Sequence, residues 1–127
     1  MIAVDTSALM AILLDEPKAD ACMTAIEGAE RLLISAGTAA EAFIVAGRRN
    51  LADEMDELIA GLDLEIRPLT AASARRVAAV YGRWGKGNHP AGLNFGDCFA
   101  YELAVDQDCP LLYVGDDFSQ TDIRRAL

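Results

Sequence analysis

The sequence predicts an α/β fold, with a mostly parallel central sheet of about four to five strands and helices on both faces. Two observations carry this. The short apolar runs Ile2–Val4, Leu32–Ile34 and Leu111–Val114 are too uniform for half-exposed strands and suit strands buried on both faces. Longer stretches with helical apolar spacing lie between them, and strands alternating with helices build βαβ units. The 127 residues, 53% hydrophobic and rich in Ala and Leu, are expected to form one domain (1–127) with enough core to fold unaided.

Each element has a local reason. Ile2–Val4 is the first strand; Asp5 follows it directly, and Thr6 and Ser7 offer caps for a short helix, Ser7 to Leu14. Pro17 opens a second helix, through about Gly28. Leu32–Ile34 is the next strand, ended by Gly37. Thr38 to Arg49 reads as a helix with Ala42, Val45 and Ala46 on its apolar stripe and two arginines suiting its last turn. Leu51 to Ala60 is another, punctuated by Gly61. Leu64 and Ile66 alternate with Glu65 and Arg67 as an edge strand, where Pro68 is tolerated. Thr70 to about Trp84 is a long helix with Val77, Val80 and Tyr81 facing inward. Gly85 to Gly92 is a loop. Asn94 starts a strongly patterned helix through Val105. Leu111–Val114 is the last strand, and a short helix from about Ser119 follows it.

Composition narrows the function. Three cysteines without a C-x-x-C spacing argue against a disulfide framework or a zinc site and for a reducing, cytoplasmic setting. No signal peptide is visible, and the longest apolar run, Ala8 to Leu14, is too short to span a bilayer. A net charge of −9 argues against a nucleic-acid partner, but its distribution argues the other way. Ile66 to Gly96 holds no acidic residue, while Arg67, Arg75, Arg76, Arg83 and Lys86 lie there with Tyr81, Trp84 and His89. Basic residues interleaved with aromatics suit a phosphate backbone and stacked bases; a solvated helix face accounts for the same pattern.

Four acidic positions stand out. Asp5 and the pair Asp116-Asp117 lie just beyond predicted central strands, where open parallel sheets bind ligands. Glu41 in Thr38-Ala-Ala-Glu41 and Asp97 in Asn94-Phe-Gly-Asp97 fall in first turns of helices, with a spacing that equally fits capping boxes. Carboxylates gathered without basic partners repel, and the only lysines, Lys18 and Lys86, are not adjacent to any of the four. Mg²⁺ or Mn²⁺ would resolve that conflict and would activate water against a phosphodiester. Other acidic chemistries fit less well. A D-x-D phosphoaspartate site needs an Asp where Ser7 stands, a receiver domain needs a lysine after the last strand, and no phosphate-binding glycine loop occurs. His89 is a candidate substrate contact, and Cys98 reads as core packing.

The motifs Ile2-Ala-Val-Asp-Thr-Ser-Ala-Leu9, Thr38-Ala-Ala-Glu41, Leu93-Asn-Phe-Gly-Asp-Cys-Phe-Ala-Tyr-Glu-Leu-Ala104 and Leu111-Leu-Tyr-Val-Gly-Asp-Asp-Phe118 resemble those of PIN-domain ribonucleases, most closely the VapC-type toxins. The resemblance runs end to end. It implies a Mg²⁺- or Mn²⁺-dependent endoribonuclease, a homodimer, and a VapB-like antitoxin whose C-terminal segment blocks the acidic groove. Asp5, Glu41 and Asp97 match the family's acidic positions. Asp117, directly before Phe118, is the preferred fourth, with Asp116 second and Asp122 third, because the common Thr-x-Asp-x-Asp-Phe pattern is altered here. Ser7, Arg76, Arg83 and Lys86 are assigned to substrate binding. A non-catalytic RNA- or partner-binding module and a DNA-directed metal nuclease are the competing readings.

Overall fold

In the computed structural model, which describes all 127 residues, each apolar run becomes a strand. β1 (Ile2–Val4), β2 (Leu32–Ser35), β3 (Glu65–Arg67) and β4 (Leu111–Leu112) form one sheet in the order β3-β2-β1-β4. Every pairing is parallel; Ala3 of β1 lies opposite Leu33 on one side and Leu111 on the other. Six helices connect or flank the strands: α1 (Thr6–Leu13), α2 (Ala19–Glu27), α3 (Ala36–Gly47), α4 (Ala52–Gly61), α5 (Ala71–Trp84) and α6 (Phe95–Asp106).

Side-chain alternation along the strands sets the layers. Ile2, Val4, Ile34 and Leu112 join the core shared with α1 to α4. Ala3, Leu33 and Leu111 join the opposite core, filled from α5 and α6 by Val77, Trp84, Cys98 and Leu103. Both faces of the central strands are therefore covered, which is why their sequences carry no polar alternation. The predicted edge strand around Ile66 is indeed outermost, and Ile66 is half exposed. No helix is long and apolar enough to cross a membrane.

Three local expectations are corrected. First, α1 starts at Thr6 because Asp5 itself is the cap, and α3 starts at Ala36 with Ser35 as its cap. Gly37, read from sequence as a strand terminator, lies inside the first turn of α3. A Cβ there would sit 2.5 Å from the Phe99 ring of α6, so the glycine marks a close helix approach. Second, the inward stripe of α5 passes through Ser73, Val77 and Trp84, which leaves Tyr81 exposed at its margin. Third, no helix forms from Ser119. The Ser119 and Thr121 hydroxyls donate to the carbonyls of Asp116 and Phe118, each at 2.7 Å, holding turns instead. The chain then runs beside β4: Leu111 N–H donates to the Arg124 carbonyl and Ala126 N–H to the Leu111 carbonyl. That bridge covers the β4 edge and is as near as the sheet comes to a fifth strand.

Candidate active site

Asp5 leaves β1 with its backbone N–H donating to the Leu112 carbonyl of β4, then caps α1. Its Oδ2 accepts from the Ser7 N–H at 3.0 Å and from the Ser7 hydroxyl at 2.6 Å. The Ser7 oxygen in turn accepts the Val114 N–H at 3.0 Å, tying the chain beyond β4 to the Asp5 turn. Ser7 is thus engaged on both sides. Expected to touch substrate, it is placed where it holds Asp5. Asp5 Oδ1 is buried and has no hydrogen-bond partner. Burial pushes the Asp5 carboxyl up to about 6, against the lowering effect of its Ser7 bonds, and the charges of Glu41 and Asp117 add to the rise.

Glu41 is not part of a capping box, because α3 begins five residues before it. Its Oε1 instead accepts the Thr6 hydroxyl at 2.6 Å, across from the first turn of α1. On its other side is α6: a Cβ on Gly96 would fall 1.8 Å from Glu41 Oε2. A missing side chain on one helix and a buried hydroxyl on another fix where this carboxylate can be. Sequence reading gave Thr6 a capping role and Gly96 none; the pairing of a buried Thr with Glu41 only exists once α1 and α3 meet, and the Gly96 contact once α3 and α6 do.

For Asp97 the two readings are both true. Its N–H donates to Asn94 Oδ1 at 2.9 Å and its Oδ2 accepts the Asn94 N–H at 3.0 Å, a complete capping box. It is also buried among acids. Burial raises its carboxyl to about 7, offset in part by the Asn94 N–H, and Asp5, Asp117 and Glu41 raise it further. Asp117 is exposed, on a turn anchored by Phe118 packed against Tyr113. The structure therefore brings Glu41 and Asp117 within electrostatic reach of Asp5 and Asp97 at the carboxyl edge of the sheet.

The PIN domain model matches residues 2–124. The chain belongs to the PIN-domain family. Ribonuclease VapC28 of Mycobacterium tuberculosis is 43% identical over 128 residues, covering 98% of this chain and 96% of its own length. Ribonuclease VapC30 of the same organism is 39% identical, covering 94% of each. Two solved structures share the fold at low identity. One is M. tuberculosis VapC20, a sarcin-ricin-loop-cleaving toxin (TM-score 0.79, 15% identity, 97% of this chain and 96% of that one). The other is a toxin–antitoxin complex from Klebsiella pneumoniae (TM-score 0.70, 16% identity, 96% and 93%).

The donor set of this PIN domain suits a hard divalent cation: oxygen ligands only, one of them a buried carboxylate oxygen with no protein partner. As the side chains stand, no three acidic, histidine or cysteine groups converge closely enough to cage an ion. Mg²⁺ is commonly bound that way, by one or two carboxylates with water and substrate phosphate completing its shell.

Other predicted site residues have surroundings of their own. Asp122 accepts a hydrogen bond from the Tyr101 hydroxyl and faces Arg83 at 3.8 Å, bonds that brace the C-terminal segment. Asp116 is exposed beside Asp117, whose charge is felt at Asp5 and Asp97. Arg76 faces buried Glu102 at 3.5 Å and Asp106 at 3.6 Å on α6. Those partners lie five and nine residues beyond Asp97, roughly 8 to 14 Å along the helix axis. Arg76, expected to touch substrate, thus has its ion-pair partners towards the far end of α6. Arg83, two turns on, lies over the Trp84 ring, and Lys86 is exposed and makes no ion pair. His89 accepts the Ala91 N–H and packs edge-on against Trp84, which fixes its loop. Cys98 is buried and burial raises its thiol to about 11, as packing predicts.

Proposed function

We propose that this chain is a Mg²⁺- or Mn²⁺-dependent endoribonuclease, the toxin of a VapBC-like toxin–antitoxin pair. The observation that carries the reading is the buried, unpartnered Asp5 Oδ1 in a set of carboxylates whose charges oppose the ionisation of Asp5 and Asp97. The relatives supply the substrate class: all are named ribonucleases, at 37–43% identity over nearly the whole chain.

Asp5 and Asp97 would hold the cation, with Asp117 at the same acidic edge. A divalent cation, when bound, neutralises charge on the scissile phosphate and leaving oxygen and acidifies water. Glu41, held by Thr6 at Oε1, orients the attacking water with Oε2 and takes its proton. Arg83 and Lys86 offer the positive surface that a protein of net −9 needs to hold a polyanion. The reading carries with it a cytoplasmic setting, a homodimer and an antitoxin whose segment covers the acidic edge.

The test is cleavage of total cellular RNA by the purified protein, with single-stranded DNA alongside. Cleavage of RNA with Mg²⁺ or Mn²⁺, its loss in EDTA and its loss in Asp97→Asn are the expected results. RNA left intact in every arm returns the fold to a binding module; equal cleavage of DNA makes it a general nuclease. Co-expression with its antitoxin should restore growth and co-purify as one complex.

A further inference from the structure

The loop between α5 and α6 satisfies almost all of its own backbone. Lys86 N–H donates to the Leu93 carbonyl at 2.9 Å and Leu93 N–H to the Trp84 carbonyl at 3.0 Å, a parallel bridge that pinches its base. The N–H groups of Asn88 and His89 both donate to the Gly85 carbonyl, at 2.9 and 3.1 Å, and close the turn. His89 holds the other limb: its Nδ1 accepts the Ala91 N–H and its carbonyl accepts the Gly92 N–H. Gly85 and Asn94 donate to the Tyr81 carbonyl and the Asp97 carboxylate. From Gly85 to Asn94 one backbone N–H alone is left over, that of Gly87.

Gly87 stands at the tip of the turn with φ +91°, in the left-handed region that favours glycine. No atom lies within 4 Å of where its Cβ would be, so its N–H is on bare backbone that an oxyanion can approach. Water satisfies an exposed N–H equally well; its neighbour is what distinguishes this one. Lys86, one residue back, is exposed and makes no ion pair, and no acidic residue occurs between Ile66 and Gly96. An unpaired ammonium beside an unpaired N–H, on a turn held rigid from within, suits the oxygens of one phosphate. The turn is also near the acids. Lys86 bridges to Leu93, four residues before Asp97, so its backbone lies within about 20 Å of Asp97 even along a fully extended path.

We propose that the Lys86–Gly87 turn is a phosphate subsite: it takes one backbone phosphate of the RNA near the scissile one, through the Lys86 ammonium and the Gly87 N–H. The proposal rests on the nuclease reading above and deepens it by naming where the backbone is gripped outside the acidic edge. Carboxylates repel a polyanion until their cation is bound. A grip placed beyond them holds the RNA in register for the cut.

The probe is a short RNA spanning a cut mapped in total cellular RNA, bound in Mg²⁺ to the Asp97→Asn protein so that cleavage plays no part. A set of copies each carries one uncharged methylphosphonate linkage. At one linkage the neutral group should weaken Kd about fivefold, the order of a single exposed ionic contact, and Lys86→Ala should weaken it by the same factor. The two losses should not add: with Lys86→Ala that linkage becomes silent, and the salt slope of binding falls by about 0.7 to 0.9. The Gly87 amide proton should move downfield in NMR spectra when intact RNA is added, and stay in place with the methylphosphonate at that linkage. Because Lys86 is exposed, thermal melts of Lys86→Ala should match the parent. Additive losses at every linkage, or a Gly87 amide that intact RNA leaves unmoved, overturn the subsite and leave the nuclease reading standing. An RNA pool left uncut by the wild-type protein removes the nuclease reading and the subsite with it.

Discussion

The Thr6 hydroxyl donates to Glu41 Oε1 at 2.6 Å, joining the first helical turn after β1 to a carboxylate on the helix after β2. Thr6 is buried, so no water substitutes for it. Thr6→Val keeps the shape and removes the bond; it should lower kcat about 10- to 100-fold with little change in KM, since a misplaced catalytic group costs on that order. Thr6→Ser should recover most of the rate. Full activity in the Val variant would detach Glu41's position from this bond.

Gly96 supplies the opposite constraint. A methyl group there overlaps Glu41 Oε2, and the carboxylate, a flexible end, moves aside rather than the backbone. Gly96→Ala should therefore lose activity much as Glu41→Gln does while its melting temperature falls only a few degrees. A crystal structure of the variant with Glu41 unmoved would contradict this.

Metal-free stability should depend on pH through the acids. Folding raises Asp5 to about 6 and Asp97 to about 7, above their ordinary value of 3.8, chiefly by burial. Between about pH 4 and 7 the folded state thus binds more protons than the unfolded one, and stability falls as pH rises. Melting temperature in EDTA should drop by several degrees from pH 5 to pH 8. Mn²⁺ should reverse the drop, and an Asp5→Asn/Asp97→Asn double variant should show a flatter profile. An equal slope in that variant would place the effect on the general excess of negative charge.

Arg76 should report on stability and not on RNA. Its removal leaves Glu102 buried and uncompensated, for which about 1–2 kcal/mol is expected after allowing for the half-exposed arginine. Arg76→Ala should melt earlier, with Glu102→Gln restoring it, while the salt dependence of RNA binding stays that of wild type. Lys86→Ala should do the reverse. Identical salt slopes in wild type and Lys86→Ala would place the substrate path elsewhere.

The strands were legible because burial on both faces leaves a signature in three or four consecutive residues, Ile2 to Val4 being the plainest. Asp97 was legible for a similar reason: its capping box is local, so spacing alone located it. Glu41 was found by a motif whose physical basis was mistaken, since Ser35 and not Thr38 caps α3. What spacing could not supply were the relations between distant segments. Ser7 engaged by Val114, Gly37 under the Phe99 ring and Arg76 turned towards Glu102 each depend on how two layers meet. The terminal turns were missed because Ser and Thr hydroxyls bonding their own backbone leave a helix-like composition without a helix.

The bond between Ser7 and Val114 spans 107 residues, and β1 sits between β2 and β4. During synthesis the Asp5 turn emerges first and waits for the strand that completes its surroundings. Until β4 has left the ribosome, neither the Val114 N–H nor the Asp117 turn exists to close the acidic edge. A nascent chain can build most of the core shared by α1 to α4 and still lack an assembled site. The acidic edge is thereby the last part of the fold whose surroundings can close.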